Sequence, residues 1–254
     1  MRRWRGIIVP VTLLALAEIA FRTGSGASDS LAPPSRAITA LWAVLTDGSL
    51  LVGTAQTLGT MLAGLALGGL GGLVVGIVLG FSAILRRFTF LTIEMLRPIP
   101  SVALLPLSLL VFGFGYRMEI AVIAFATFWP ALILTQSAVV QIEPRLIEVA
   151  RMLRLTRLQI AWKIVLPAAA PRLMTALRLA AGLALVVAVT AEIVSNPQGL
   201  GHDLMIAQET LRPERMFAVL FWVGLLGWGK NAALLALERW LFAYRGEVDT
   251  SIAA

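Results

Sequence analysis

The sequence predicts an all-α membrane protein with six transmembrane helices, and three observations carry that expectation. The chain of 254 residues is 59% hydrophobic and only 14% charged, whereas a soluble domain is about 45–50% apolar and about 25% charged. Six apolar stretches approach the roughly 20 residues that a helix needs to cross a bilayer. The basic residues between those stretches gather on alternate sides, as they do when one set of loops is cytoplasmic.

The stretches are residues 6–21, 54–85, 91–112, 118–140, 174–194 and 216–237. The first is short and contains Glu18. Its flanks, Arg2, Arg3 and Arg5 before and small residues at 24–27 after, also fit a secretory leader, but the apolar run is longer than a leader usually has. The second is longer than one crossing needs, so its ends project or tilt. Between them, 21–35 is rich in Gly, Ser and Pro and reads as an external loop, followed at 35–45 by a short helix at the outer surface. With the N-terminus inside, fifteen Lys or Arg fall on the inner side and five (Arg22, Arg36, Arg117, Arg212, Arg215) on the outer, while Lys230 lies within the last span. This places both termini in the cytoplasm.

The net charge of +7 does not indicate nucleic acid, because the basic residues alternate with apolar runs and form no soluble basic face. The absence of cysteine excludes disulfides and leaves the redox compartment open. The lone histidine, His202, has one neighbouring acid, Asp203, and makes no metal site. Gly224-Leu225-Leu226-Gly227-Trp228-Gly229-Lys230-Asn231 approaches a phosphate-cradling loop. It ends in Asn231, which has no hydroxyl for magnesium, and no strand precedes it.

Three patterns are informative. Gly64, Gly68, Gly72, Gly76 and Gly80 recur every four residues. They form one helical stripe that lets a neighbouring backbone come close, either within the subunit or across a dimer interface. Leu96-Arg97-Pro98-Ile99-Pro100-Ser101, with Pro106 beyond, interrupts the third stretch, since proline removes helical hydrogen bonds. Backbone freed at membrane depth survives only against protein or water. That makes Arg97, Pro98, Pro100, Ser101 and Pro106 candidates to line a pathway, with Glu192 near the outer end of the fifth stretch as another. Arg97 snorkelling to the inner surface is the simpler alternative. Finally, 141–173 is a long inner loop holding six Lys or Arg and two Glu. Leu146, Val149, Ala150 and Leu153 recur at helical spacing, giving an amphipathic helix over 145–158 with Glu148 near its start. Docking on a partner and lying on lipid headgroups both fit that helix.

In this order, the pieces resemble the permease family of nitrate, taurine and aliphatic-sulfonate ABC importers over residues 54–237. The resemblance rests on Leu96-Arg97-Pro98-Ile99-Pro100 with Pro106-Leu107, Phe112-Gly113-Phe114-Gly115, Phe128-Trp129-Pro130, Glu148-Val149-Ala150 with Leu166-Pro167, Ala191-Glu192 and Gly199-Leu200-Gly201. It implies a type I ABC importer permease fold and a homodimer. It also implies a separate ABC ATPase that binds ATP and magnesium, and a periplasmic or lipoprotein substrate-binding protein. It makes the inner loop the family's coupling loop, with Leu146, Glu148, Val149, Ala150, Leu153 and Arg154 at the ATPase contact. The chain itself is then a transport subunit of the inner membrane, with no catalytic site, cofactor or metal of its own. Its parts are an N-terminal helix and external loop (1–53), a permease core (54–240) and a cytoplasmic tail (241–254). The family has glycine where this chain has Arg154, and glycine there permits a tight turn after the helix. A self-sufficient carrier or channel, the alternative, needs coupling-ion ligands or a charged lining. The sequence places only Glu18 clearly within a span.

Overall fold

The computed structural model describes residues 5–22 and 31–242; the expectations for Arg2, Arg3, 24–27, Arg245 and the tail from 243 onward lie outside the described residues. Eleven α-helices follow one another among those described: α1 Arg5–Arg22, α2 Pro34–Thr46, α3 Ser49–Phe81, α4 Ala83–Leu96, α5 Leu105–Phe112, α6 Tyr116–Val140, α7 Pro144–Met152, α8 Arg157–Ile160, α9 Leu166–Ser195, α10 Leu200–Glu209 and α11 Pro213–Phe242. A 3₁₀ turn, Ser101–Leu104, leads into α5, and a π turn, Ala161–Val165, joins α8 to α9.

The glycine stripe fixes the centre of the bundle. A Cβ placed on Gly64 would meet Ile123 at 2.6 Å, and one on Gly80 would meet Val139 at 2.6 Å. Between these, Gly68 faces Ala124 and Thr127, Gly72 faces Phe128 and Ala131, and Gly76 faces Leu132 and Thr135. Every four-residue step along α3 is matched by four along α6, so the two helices run parallel and in register. The stripe therefore packs within the subunit. Parallel neighbours also require the chain to return across the bundle between them, which is the work of α4 and α5.

That return is broken. α4 and the run Ser101–Phe112 are bent by 80°, because Pro98 and Pro100 withhold two N–H groups within three residues. Pro106 does not contribute, contrary to the expectation from sequence: it stands in the first turn of α5, where a missing N–H is harmless. Among the described residues, four helices are long and apolar enough to cross a membrane, Ser49–Phe81, Tyr116–Val140, Leu158–Ser195 and Pro213–Phe242; the bent pair, taken as one span, adds a fifth. α1 falls short of that measure with 18 residues that include Arg5, Glu18 and Arg22. Glu18 also sits close to its end, ion-paired with Arg22 at 3.0 Å and accepting from the Ser35 backbone at 3.1 Å, so it is no mid-span acid.

α9 runs antiparallel to α6, with Asn196 at its end bonded to Glu119 at the start of α6. Its inner face is Ala180, Ala181, Ala184, Ala188 and Ala191, packed on Met61, Met118, Val122 and Ile123; small side chains bring the backbones close. α11 returns alongside, held to α9 by an Arg178–Glu238 ion pair and by Lys230 donating to the Ala181 carbonyl at 2.7 Å. The glycine-rich string 224–231 is thus continuous helix and no phosphate loop. One end of the bundle gathers the starts of α3 and α6, the end of α9, and α2 and α10, sealed by Val44, Leu50, Leu200 and Val219. α2 takes the place expected of the surface helix. The opposite end carries α7.

Candidate translocation and coupling sites

The break in the returning segment opens onto a cavity of about 300 Å³, lined by Arg97, Ile99, Ser101, Phe125, Ala126, Trp129, Pro130, Ile133, Leu183 and Val187. Trp129 is near the middle of the 25-residue α6, so the cavity lies at mid-depth. Pro130 stands inside α6 and leaves the carbonyl of Ala126 without its helical donor. The Trp129 ring is wedged edge-on between Phe125 and Phe128, with centroids 5.6 and 5.1 Å away. Its indole N–H is sealed from solvent without a hydrogen-bond partner. Of the residues that the sequence nominated for the pathway, the structure brings Arg97 and Ser101 to this cavity. Pro98 and Pro100 shape the break without lining it, and Leu105, beyond Ser101, is buried in the core. Arg97 reaches Glu94 at 3.6 Å across half-exposed side chains, a pair that contributes at most about 1 kcal/mol.

Glu192 is elsewhere. It is 1% exposed and belongs to a joint between α3, α9 and the start of α10. Gly201 N–H donates to its carboxylate at 2.8 Å and the Thr57 hydroxyl donates to it at 3.0 Å. The Thr57 oxygen in turn accepts from Leu200 N–H at 3.0 Å, and Gln56 accepts from Gly199 N–H at 3.0 Å. Three consecutive N–H groups at a helix start, which have no intrahelical partner, are thus capped by three side chains from two other helices. This accounts for Gly199-Leu200-Gly201. Gly199 has φ +91°, and a Cβ there would strike the Glu192 carboxylate. Beside it lie Glu119 and Asn196, bonded to each other and buried, with one oxygen of each unpartnered. In α10, burial pushes the Asp203 carboxyl up, opposed by Arg215 at 3.8 Å. Gln56, Thr57, Glu119 and Asn196 escaped the sequence reading. Only Glu119, an acid at the second residue of the apolar stretch 118–140, carried a signal there.

The joint makes a prediction. Glu192→Ala should leave the Gly201 N–H and the Thr57 hydroxyl unsatisfied, at about 1–3 kcal/mol for a buried group. Amide exchange at 199–201 should then accelerate by at least tenfold, while Glu192→Gln, which keeps an acceptor, should change it far less. Equal exchange in both variants would show that packing alone holds α10.

At the opposite end, α7 is amphipathic, and its buried contact is Ala150. Leu146, Val149, Met152 and Leu153 are exposed at 42, 53, 83 and 67%. The helix differs from expectation in two ways. It begins at Pro144, so Glu148 stands at its fifth residue, in the middle of the helix and not near its start. It also ends at Met152 rather than running on to 158. Leu155 N–H bonds back to the Ala150 carbonyl at 3.1 Å, closing a Schellman-type turn with Arg154 in the left-handed position, φ 53°. Glycine takes that conformation freely, whereas for an arginine it costs roughly 1–2 kcal/mol.

Residues 72–242 match the family of binding-protein-dependent transport system inner membrane components. The chain belongs to this family. It is a permease, the membrane-crossing subunit of an ATP-driven importer, and ATP hydrolysis in these systems takes place on a separate ATPase. The permease is 28% identical over 245 residues to a putative aliphatic sulfonates transport permease protein, SsuC, of Bacillus subtilis, a match covering 96% of this chain and 89% of that one. It is 31% identical over 187 residues to the nitrate import permease protein NrtB of Leptolyngbya laminosa, covering 74% and 67%. In fold it matches the inward-facing MetNI methionine ABC transporter, with a TM-score of 0.68 and 22% identity over 76% of this chain and 96% of the other. The permease thus has the type I importer fold that its motifs implied, although the crossings counted from apolar length among the described residues reach five rather than six.

Proposed function

We propose that two copies of this permease form the translocation pathway for a small anion in the inner membrane. A separate ATPase docks on α7, and a substrate-binding protein docks at the α10 end. The observation that carries the ATPase contact is the face of α7, where Leu146, Val149 and Leu153 stand out from the bundle beside Glu148 while Ala150 anchors the helix beneath. A short helix has little stability of its own, and an exposed apolar face of this kind marks an interaction site. The ATPase binds ATP and magnesium. This chain binds neither and contributes the path, with Arg97 and Ser101 on its wall. Relatives for sulfonates and nitrate support an anion as substrate. The permease core is 54–240, with 141–173 as the coupling loop.

α1 makes the sixth crossing, with both termini cytoplasmic. Support comes from the charge asymmetry and from the direction of the helices, since α1 meets α2 at the α10 end. The test uses a chain that lacks cysteine. In intact cells, a membrane-impermeant maleimide should label Gln198→Cys and leave Ser82→Cys and Thr156→Cys untouched. Affinity purification of the permease should bring down an ATPase. External labelling at Thr156→Cys, or a permease that transports without an ATPase, would overturn the reading.

A further inference from the structure

Resting on the reading of the cavity as part of the path, we propose that it is a subsite for an amphiphilic anion, one with an acidic head and an apolar tail, and not for a small inorganic anion. The lining divides by chemistry. Arg97 supplies the one charged group and Ser101 a hydroxyl, both at the break between α4 and α5. The opposite walls are Phe125, Ile133, Leu183 and Val187 from α6 and α9. Among the described residues no carboxylate lines the space; Glu94, the ion-pair partner of Arg97 at 3.6 Å, is outside the lining. The indole N–H of Trp129 is closed off, so it adds to the wall and leaves the head to Arg97 and Ser101.

Size supports the same assignment. An ion of a few atoms in a space of about 300 Å³ would keep its water and touch only Arg97. A head of that kind with a chain of several carbons also reaches the apolar walls, and each buried methylene tightens binding by roughly fourfold. The permease then adds a selection for the tail to whatever selection a binding protein makes.

The complex with its ATPase is reconstituted in nanodiscs with Leu183→Cys as the single cysteine, and maleimide labelling is followed under methane-, propane- and hexanesulfonate, nitrate and hexylammonium. Protection should strengthen along the sulfonate series, with hexanesulfonate effective at concentrations at least tenfold below nitrate and hexylammonium without effect. Arg97→Gln should weaken protection by hexanesulfonate roughly tenfold. Nitrate equal to hexanesulfonate, or undiminished protection in Arg97→Gln, would overturn the subsite. Ile133→Cys serves in place of Leu183→Cys where the latter does not assemble. The underlying reading is tested separately in proteoliposomes, where uptake can be followed: labelled Leu183→Cys should no longer transport. Labelled protein that transports normally defeats the pathway and the subsite together. Labelled protein that is blocked but never protected by sulfonate defeats the subsite alone.

Discussion

Changing Glu148 to Ala should leave the permease inserted in the membrane and abolish substrate-stimulated ATP hydrolysis in the reconstituted complex. Glu148 is exposed on α7, so its effect on the folded permease alone is within the ±0.5 kcal/mol typical of surface changes. Its consequence lies in the assembly. If the apolar side chains beside it fill a cleft on the ATPase, the carboxylate is carried out of water with them and must pair with a cation of the partner. Removing one half of a buried pair costs about 3–5 kcal/mol, enough to reduce the docked fraction several-hundredfold, whereas an exposed pair contributes at most about 1 kcal/mol. The size of the loss therefore reports whether the contact is buried. The measurement is ATPase rate with and without substrate and binding protein, alongside co-purification. Undiminished stimulation in Glu148→Ala would assign docking to Leu146, Val149 and Leu153 alone.

Gly72→Leu should break the contact at the centre of the bundle. A Cβ at this position would meet the Phe128 carbonyl, Ala131 at 2.8 Å and the Leu132 nitrogen at 2.9 Å. Two of these are backbone atoms and cannot move aside as a side-chain tip does. Overpacking of a yielding core costs about 1–3 kcal/mol. Here relief requires α3 and α6 to separate, which loosens their neighbouring contacts from Gly64 to Gly80 as well. The expected result is loss of folded permease from membranes, seen as failure to elute as a monodisperse species in mild detergent. Gly59 provides the control. Nothing stands within 4 Å of a Cβ there, so Gly59→Ala should be neutral or stabilise by up to about 1 kcal/mol through helix propensity. Equal tolerance at Gly59 and Gly72 would contradict the close packing.

Much of this architecture was legible in the sequence because apolar runs and four-residue glycine spacing are periodic signals. The stripe announced a close helix contact, and the register with α6 decided that the contact is internal. Pro98 and Pro100 announced the break. Pro106 misled because a proline's effect depends on its distance from a helix start, which the sequence alone left open. The amphipathic spacing of 145–158 hid the end of α7; only the glycine that the family has in place of Arg154 pointed to a turn there, since a left-handed backbone follows from no propensity of arginine. The joint at Glu192 was least visible. It is assembled from residues about 140 positions apart, such as Thr57 and Leu200, and its polar members, on three separate helices, share no spacing that links them. Where Arg97 and Ser101 face was legible as a possibility. Their companions Phe125, Ile133 and Leu183 look like any lipid-facing residue until the helices are placed.

The matched registers of α3 and α6 have a mechanical consequence. α3 is unbroken for 33 residues, about 50 Å at 1.5 Å per residue, and is keyed to its partner at every turn from Gly64 to Gly80. Two rods keyed in this way cannot slide by less than a full notch, so they tilt or turn only as one beam. Gln56 and Thr57 tie one end of that beam to α10, and Ile77 packs against Val165 and Ala169 near the other. A rotation imposed at either end therefore arrives at the opposite end undiminished, without a relay of side-chain rearrangements along the way.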